Sequence, residues 1–416
     1  MSHIWRHVTF AAAILVTGVL SGIAGGATTL LVQAIEHVTY GYSEGPLLVG
    51  VLSTPIQRRI AGPAIGCALA GFGWWLLRRR ATVPGLAESI RNDRAFERTP
   101  MAANALLQVL AVGSGASLGR EQAPRLFAAT FTERAIERSS LSTLQRRVLL
   151  GSAAGAGLAA VYNVPVAGAL FALGIVLNSR RPLAVLVAVA TSAIATVTAW
   201  PLSHGHPSFV WPDTLYSWKV LLFAIAAMPI GLLVGAAFTW LVERAKRNAL
   251  KTSWLLVPAV GLAGLVTGIC SIWMPQLPGN GKSIILETLS GGDTLIPVAL
   301  VMLLKPVLTA LFLRAGAVGG MLTPALSTGV ATGAFVALAI NQLGGHANIP
   351  TFGLIGGAAV LGITQNAPVF AAVFTAELTH PPPAVWVMLL LAAVGAHGIH
   401  AVATRRRGAR GVPAER

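Results

Sequence analysis

Long apolar stretches alternate along the whole chain with short segments rich in arginine, glycine or proline. A helix that crosses a membrane needs about 20 mostly apolar residues. Stretches close to that length lie at about 9–35, 60–77, 101–130, 147–177, 183–202, 219–242, 254–274, 295–313, 317–343, 352–378 and 384–403. The first is too long and too rich in glycine for a signal peptide, so we expect it to remain in the fold. The pattern predicts an all-α polytopic membrane protein.

Composition agrees with this class, since 55% of the 416 residues are hydrophobic and only 11% are charged. These values exclude an ordinary soluble protein. Cys67 and Cys270 are the two cysteines, and both lie in apolar stretches, while the nine histidines are scattered. We therefore expect no disulfide, no metal site and no cofactor.

The net charge of +16 comes from basic residues that cluster between the apolar stretches. The clusters are Arg78 to Arg80, Arg91, Arg94, Arg98, Arg146 with Arg147, Arg180 with Arg181, the segment 244–251, and Arg405 to Arg407. Such basic loops face the cytoplasm in membrane proteins. This predicts a short cytoplasmic C-terminal tail at 404–416 and no nucleic acid partner, whereas the segments 204–218 and 287–294 are expected to face outward.

Two interruptions of the apolar pattern occur in the same order in both halves of the chain. The first reads GASLGREQAP at 115–124 and GAVGGMLTP at 316–324, and the second reads Asn163-x-Pro165 and Asn366-x-Pro368. Duplicated halves with broken helices are typical of transporters whose site lies near the bilayer midplane. We predict one transmembrane domain, 1–416, with a first repeat at about 60–243 and a second at about 254–403.

The interruptions are expected to line a cavity, because irregular backbone is tolerated inside a bilayer only where protein or water satisfies it. Each one restarts a helix, and a helix N-terminus offers free N–H groups and partial positive charge to an anion. A third break is TVPGLAESI at 82–90. Asn163 and Asn366 are expected to cap the restarted helices. Three breaks that meet would form an anion site.

Charged side chains stand out in these apolar surroundings. Arg120, Glu121 and Arg125 lie in the first interruption, and such residues are usually functional at membrane depth because their burial is costly. The alternative for Glu121 is a carboxylate that merely pairs with one of the two arginines. For Glu377, near the end of an apolar stretch, we expect a structural role at a helix terminus.

Five motifs carry a family resemblance. GSGASLGRE at 113–121 is close to a G-R-E-G-P signature, and GGMLTP at 319–324 resembles G-x-F-x-P. NVPVAGALFA and NAPVFAAVFTAEL resemble the paired helices that follow those signatures, and VPGLAE resembles a degenerate G-S-G-I-P-E. The motifs and their order along nearly the whole chain resemble those of the CLC family of chloride channels and anion/proton antiporters, in its prokaryotic form.

The resemblance implies a homodimer in the bacterial inner (plasma) membrane, surrounded by lipid, with an anion pore in each subunit. Two inverted halves build the pore, and their broken, tilted helices meet at an anion site near the midplane. In the family, the glutamate of G-R-E occupies the outer anion site as a carboxylate and swings away on protonation; that gating residue is Glu121 here. A carboxylate can mimic a bound anion until it is protonated.

The resemblance also implies a set of anion-binding residues. Backbone amides of Gly320, Met321 and Leu322 would complete the central site, beside Gly119 and Arg120 of the G-R-E segment. We expect Arg120 to be structural or to raise the local positive potential rather than to contact the anion.

The first signature departs from the family pattern. The serine that coordinates the central anion falls on Pro84, so backbone amides such as those of Gly85 and Leu86 would hold the ion instead. Proline at this place is associated with nitrate preference in the family. Chloride and nitrate therefore both remain candidate substrates.

A second departure concerns protons. Antiporters of the family carry an internal glutamate after N-x-P, and that position is Ile175 here, with no carboxylate between Glu137 and Asp213. The pore-lining tyrosine of the last helix also has no counterpart. We predict transport of chloride or a similar small anion that is uncoupled or weakly coupled to protons. The alternative is a proton-coupled antiporter of chloride or nitrate.

Two other functional classes fit the sequence less well. A membrane-embedded enzyme with Glu121 as general acid would need a second acid, a Ser/His pair or a metal cluster within reach. A cation transporter would concentrate carboxylates in its spans. The sequence shows neither arrangement, and its breaks supply glycines and amides that suit anions.

Overall fold

Helices joined by loops make up the fold of the residues that the computed structural model describes, which are 3–92, 97–203, 205–212 and 218–409. In chain order the helices are α1 (His3–Tyr40), α2 (Leu47–Ser53), α3 (Ile56–Arg80), α4 (Leu86–Arg91), α5 (Arg98–Gly113), α6 (Gln122–Ile136), α7 (Thr143–Tyr162), α8 (Pro165–Phe171), α9 (Pro182–Ser203), α10 (Lys219–Arg247), α11 (Leu256–Cys270), α12 (Lys282–Ser290), α13 (Leu295–Arg314), α14 (Leu322–Gln342), α15 (Ile349–Thr364), α16 (Pro368–Thr379) and α17 (Pro383–Ala409). A π-helical turn, Ala172–Leu177, extends α8. The predicted all-α class is confirmed.

Three predicted features fall partly or wholly outside the described residues. They are Arg94 of the basic clusters, residues 204 and 213–217 of the segment expected to face outward, and residues 410–416 of the predicted tail.

Seven of the described helices are long and apolar enough to cross a membrane, which confirms a polytopic membrane protein. They are α1, α3, α9, α10, α13, α14 and α17. The other predicted stretches consist of shorter helices, because glycine and proline interrupt them: 101–130 contains α5 and most of α6, and 352–378 contains most of α15 and of α16. The helices α2 and α12 were not predicted, since 7 and 9 residues are too few for a span.

Glycines allow the helices around each break to pack at close range. A Cβ atom on Gly157 of α7 would lie 2.6 Å from the carbonyl oxygen of Pro124 in α6. A Cβ atom on Gly329 of α14 would lie 2.6 Å from the carbonyl oxygen of Gly356 in α15. Small residues permit such backbone approach between helices in membranes. The helix that follows the break is thus held in the same manner in both halves.

The Asn-x-Pro breaks are built differently from our expectation. Asn163 and Asn366 both adopt left-handed backbone conformations, with φ of 58° and 51°, and each lies at the end of the preceding helix. The Asn163 amide group donates to the carbonyl oxygens of Gly205 and His206. The predicted N-cap role is therefore wrong, because Val164 and Ala367, not the two asparagines, directly precede the first turns of α8 and α16.

Glu377 of α16 supplies the missing cap. Its two carboxylate oxygens accept hydrogen bonds from the backbone N–H groups of Val166, at 3.0 Å, and Ala167, at 2.7 Å, in the first turn of α8. A carboxylate is favourable there because free N–H groups and the helix dipole point toward it. The structural role predicted for Glu377 stands, and it joins the two halves of the chain, because α8 lies in the first half and α16 in the second.

Replacement of Glu377 by alanine should lower the free energy of unfolding by about 2–4 kcal/mol, because two buried N–H groups lose their acceptors. Glu377→Gln, which keeps one carbonyl oxygen, should cost less. Equilibrium unfolding in mixed detergent micelles measures both, with the exposed Glu243→Ala of α10 as the control. Equal, small losses at Glu377 and Glu243 would contradict the capping role.

Candidate functional site

Two cavities enter the fold from opposite ends. The outer cavity, of about 470 Å³, borders the last turns of α1 and the start of α2. The inner cavity, of about 510 Å³, borders the last turns of α3 and of α10. Because α3 begins close after α1 ends and runs the length of a membrane span, its two ends lie on opposite sides. The inner cavity carries Arg78, Lys246 and Lys251 at its wall, which is typical of a cytoplasmic face.

Glu121 lies buried at the start of α6, and its side chain is 0% exposed. Its Oε1 atom accepts a hydrogen bond of 2.7 Å from the backbone N–H of Leu322, the first residue of α14. Its Oε2 atom accepts a hydrogen bond of 2.8 Å from the hydroxyl of Thr323. The carboxylate thus occupies the N-terminus of α14, which is a general anion site in proteins.

Glycines make room for this carboxylate. A Cβ atom on Gly119 or on Gly320 would overlap the carboxylate oxygens of Glu121. Any other residue at these two positions would therefore displace the Glu121 side chain. The sequence requirement for glycine in both signatures follows from this close contact.

The same two glycines join the breaks of the two halves. The N–H of Gly119 donates to the oxygen of Gly320 at 2.7 Å, and the N–H of Gly320 donates to the oxygen of Gly119 at 2.9 Å. Both N–H groups are therefore engaged with backbone while Glu121 occupies its present position. In this conformation they hold the two breaks together, and the anion-binding role expected of Gly119 and Gly320 stays a prediction.

Neither neighbouring arginine forms an ion pair with Glu121 among the described residues. The Arg120 guanidinium lies over the ring of Tyr162, 5.4 Å from its centroid, and lines the outer cavity. The Arg125 Nε atom donates to the backbone oxygen of Glu121 at 2.8 Å, and its guanidinium lies over Phe171. The carboxylate is thus left with hydrogen-bond donors alone, within the part of the chain that is described.

The third break, at 82–90, approaches the Glu121 site from the inner cavity. Pro84, Gly85 and Leu86 line the inner cavity together with Gln122, the residue after Glu121, and Gly319, the residue before Gly320. Gly85 precedes the first turn of α4, whose N-terminus opens here. Met321 is partly buried and immediately precedes α14. The structure therefore brings the three predicted breaks together at the inner end of the Glu121 site.

Several residues of the site were not predicted. Thr323, Tyr162, Asn280 and Lys282 contact Glu121 or line the outer cavity. The sequence could have indicated Thr323, because its hydroxyl lies in the first turn of the helix that follows GGM. The other three residues come from segments that approach the site only through tertiary packing. The Lys282 Nζ atom lies 5.5 Å from the centroid of the Tyr162 ring. Lys282 is far from Arg120 in sequence, but both side chains place their charge beside this ring.

The position that matches the family's internal glutamate is apolar. Ile175 lies in the π-helical turn after α8, where it packs, partly buried, against the main hydrophobic core. Its neighbour Gly174 is exposed. No proton-carrying group occurs in this turn, whose sequence is ALGIVL.

Comparison with known proteins adds a relationship over most of the chain. The protein family described as "Voltage gated chloride channel" matches residues 66–401. The voltage-gated ClC-type chloride channel ClcB of Salmonella typhi is 26% identical over 377 residues, which are 87% of this chain and 89% of that protein.

Two solved structures share the fold. A slow cyanobacterial Cl⁻/H⁺ antiporter superposes with a TM-score of 0.77 at 18% identity and covers 94% of both chains. A CLC-type fluoride/proton antiporter superposes with a TM-score of 0.72 at 20% identity and covers 96% of this chain and 97% of its own. The broken-helix architecture predicted from the motifs is therefore confirmed.

We predict that Gly320→Ala expels the Glu121 carboxylate from the α14 N-terminus. The added methyl group meets the mobile end of a side chain, so the fold should survive. If the carboxylate closes an anion path, flux through the variant at neutral pH should approach that of Glu121→Gln. Anion efflux from liposomes measures this, with Gly398→Ala as the control because open space surrounds its Cβ position. Unchanged flux in Gly320→Ala would contradict the steric argument.

Proposed function

This chain belongs to the CLC family of voltage-gated chloride channels, and on that basis we propose that it moves chloride or a similar small anion through a pore in each subunit, gated by Glu121. The family assignment confirms the predicted resemblance. The chain is an anion transport protein and not an enzyme. The choice of anion, the gate and the degree of proton coupling are our proposals.

One observation carries the proposal: the buried Glu121 carboxylate, which has no cationic partner among the described residues, lies between two cavities that open on opposite sides. A negative charge in that position is held by donors of the α14 N-terminus, which can hold an inorganic anion equally well. While Glu121 is ionised it competes for this site. Once protonated, it loses the charge that those donors favour, and an anion can replace it.

The anion would enter through positively charged surroundings. Arg120 and Lys282 line the outer cavity, and Arg78, Lys246 and Lys251 line the inner one. Basic side chains around narrow openings raise the local concentration of anions. A path for cations would require negatively charged linings. The basic linings of both cavities therefore support anion transport over cation transport.

Backbone groups would hold the anion at the inner end. Pro84 has no hydroxyl and no N–H, so the first turn of α4, beginning at Gly85 and Leu86, supplies the donors. A site of amides alone makes fewer demands on anion size than one with a fixed hydroxyl. We therefore propose that nitrate is accepted together with chloride, and that the backbone amides of Met321 and Leu322 complete the site.

Transport is proposed to be uncoupled from protons or only weakly coupled. Ile175 occupies the position where the family's antiporters carry the internal glutamate, and isoleucine cannot exchange a proton. The relative from Salmonella typhi is named a channel, whereas the two structural neighbours are named antiporters. A proton-coupled antiporter is the second candidate, because a titrating Glu121 serves either mode.

We propose that the functional unit is a homodimer in the bacterial inner membrane with the C-terminus in the cytoplasm. Val166 of α8 and Val369 of α16 follow the prolines of the two Asn-x-Pro breaks, and they are 55% and 49% exposed. Because α8 and α16 pack together, these valines contribute to one apolar face that suits a second copy. The remaining apolar exterior faces lipid.

The test is anion efflux from proteoliposomes that contain the purified protein, with external pH recorded at the same time. We expect efflux of chloride and nitrate with little proton movement, and altered efflux that no longer depends on pH in Glu121→Gln. Proton movement uphill against its own gradient, driven by the anion gradient, would establish the antiporter instead. Absence of anion movement in every condition would contradict the proposal. Thr332→Val is purified and reconstituted in the same way as Glu121→Gln and serves as the control for the effects of mutation and reconstitution.

A further inference from the structure

A chain of side-chain hydrogen bonds joins the outer cavity to Glu121. Asn280 Nδ2 donates to the Tyr162 hydroxyl oxygen at 3.3 Å, and that oxygen lies 3.2 Å from Thr323 Oγ1. Thr323 Oγ1 in turn donates to Glu121 Oε2 at 2.8 Å. Tyr162 and Asn280 line the outer cavity, whereas Thr323 and Glu121 are buried behind them. The carboxylate is thus connected to the outer solution through two hydroxyl groups.

The direction of each hydrogen bond follows from the chemistry of the end group. An ionised carboxylate only accepts, so the one hydroxyl hydrogen of Thr323 is committed to Glu121. Thr323 must then accept from Tyr162, which has a hydroxyl hydrogen to give. Both O–H bonds therefore point from the outer cavity toward Glu121. This is the arrangement that inward proton transfer requires.

We propose that Tyr162 and Thr323 relay protons from the outer cavity to Glu121, an inference that rests on the proposed gating role of that carboxylate. A hydronium ion of the outer solution gives a proton to the Tyr162 oxygen. The Tyr162 hydrogen passes to Thr323, and the Thr323 hydrogen passes to Glu121 Oε2. One O–H bond forms and one breaks at each hydroxyl, so a single proton moves and no other group changes.

The charges around the relay favour it over a hydronium ion that diffuses to Glu121. Arg120 and Lys282 lie over the Tyr162 ring, with their charged atoms 5.4 and 5.5 Å from its centroid. Two cations repel a hydronium ion that would have to pass them to reach Glu121, whereas the relay transfers the proton at the Tyr162 hydroxyl. The acidic residue that lines the outer cavity is Glu36, whose carboxylate accepts a hydrogen bond from the Tyr42 hydroxyl.

Arg125 faces the opposite end of the relay. Its Nε atom donates to the Glu121 backbone oxygen, so its positive charge lies near the carboxylate that receives the proton. The relay therefore ends at a carboxylate whose own backbone is held in place by Arg125.

The experiment follows anion efflux from proteoliposomes after a rapid drop in external pH, with chloride in one set of vesicles and nitrate in another. In Tyr162→Phe and Thr323→Val, the rise of the flux should be about a hundredfold slower than in the wild type, the low end of what a positioned proton donor contributes. In Tyr162→Phe the slow rise should still end at a steady flux that depends on pH, because equilibrium protonation does not depend on the path. Thr323→Ser, which keeps a hydroxyl, should restore the fast rise.

Two further variants make the comparison specific. Thr332→Val removes a hydroxyl from the same helix α14 that bonds only the Thr328 carbonyl oxygen, and it should respond like the wild type. Glu287 lies on α12 outside the membrane-spanning helices, and burial together with the neighbouring Asp293 raises its pKa to about 7. It also titrates as the external pH changes, so Glu287→Gln is measured in parallel and should leave the rate unchanged.

The outcomes separate the relay from the gate. If Glu121→Gln keeps the pH response of the wild type, the proposed gating role fails and the relay fails with it. If Glu121→Gln abolishes that response while Tyr162→Phe follows the pH drop as fast as the wild type, the gate stands and the relay is wrong. A higher flux at neutral pH without a slower rise would show that Thr323 only stabilises the closed carboxylate. Should Thr323→Val not fold, Tyr162→Phe decides alone.

Discussion

The structure depends on the need to satisfy one carboxylate in the interior of a membrane protein. Glu121 has no exposed surface, and its oxygens accept hydrogen bonds from Leu322 N–H and Thr323 Oγ1, at the start of a helix from the other half of the chain. Burial of a charge without such donors would cost several kcal/mol. The paired glycines, the break before α14 and the contact between halves all serve to bring these donors to the carboxylate.

The same donors explain why the site suits transport. They are fixed by backbone geometry, and they do not distinguish a carboxylate oxygen from another small anion of similar charge. Arg120 stacks on Tyr162 in the outer cavity, and Arg125 contacts the backbone of Glu121, so positive potential is present without a permanent ion pair. A site with a paired cation would hold its anion too firmly to release it.

Local sequence patterns predicted the spans, the breaks and Glu121, because hydrophobic periodicity and helix-breaking residues act over a few neighbours. They did not predict the bridge between Gly119 and Gly320, the cap that Glu377 provides for α8, or the approach of Tyr162 and Asn280. These contacts join residues far apart in sequence, and single-sequence patterns carry no information about them. The N-caps assigned to Asn163 and Asn366 were wrong because both residues adopt a left-handed backbone one position before the residue that caps the next helix.

The most direct test of this account is to locate a bound anion after the carboxylate is removed. Crystals of Glu121→Ala grown in bromide, examined by anomalous scattering, should show bromide within hydrogen-bonding distance of the Leu322 N–H and the Thr323 hydroxyl. The wild type should lack this peak at neutral pH, because its own carboxylate fills the position. Bromide bound elsewhere in Glu121→Ala, with none at the α14 N-terminus, would contradict the claim that Glu121 occupies an anion site.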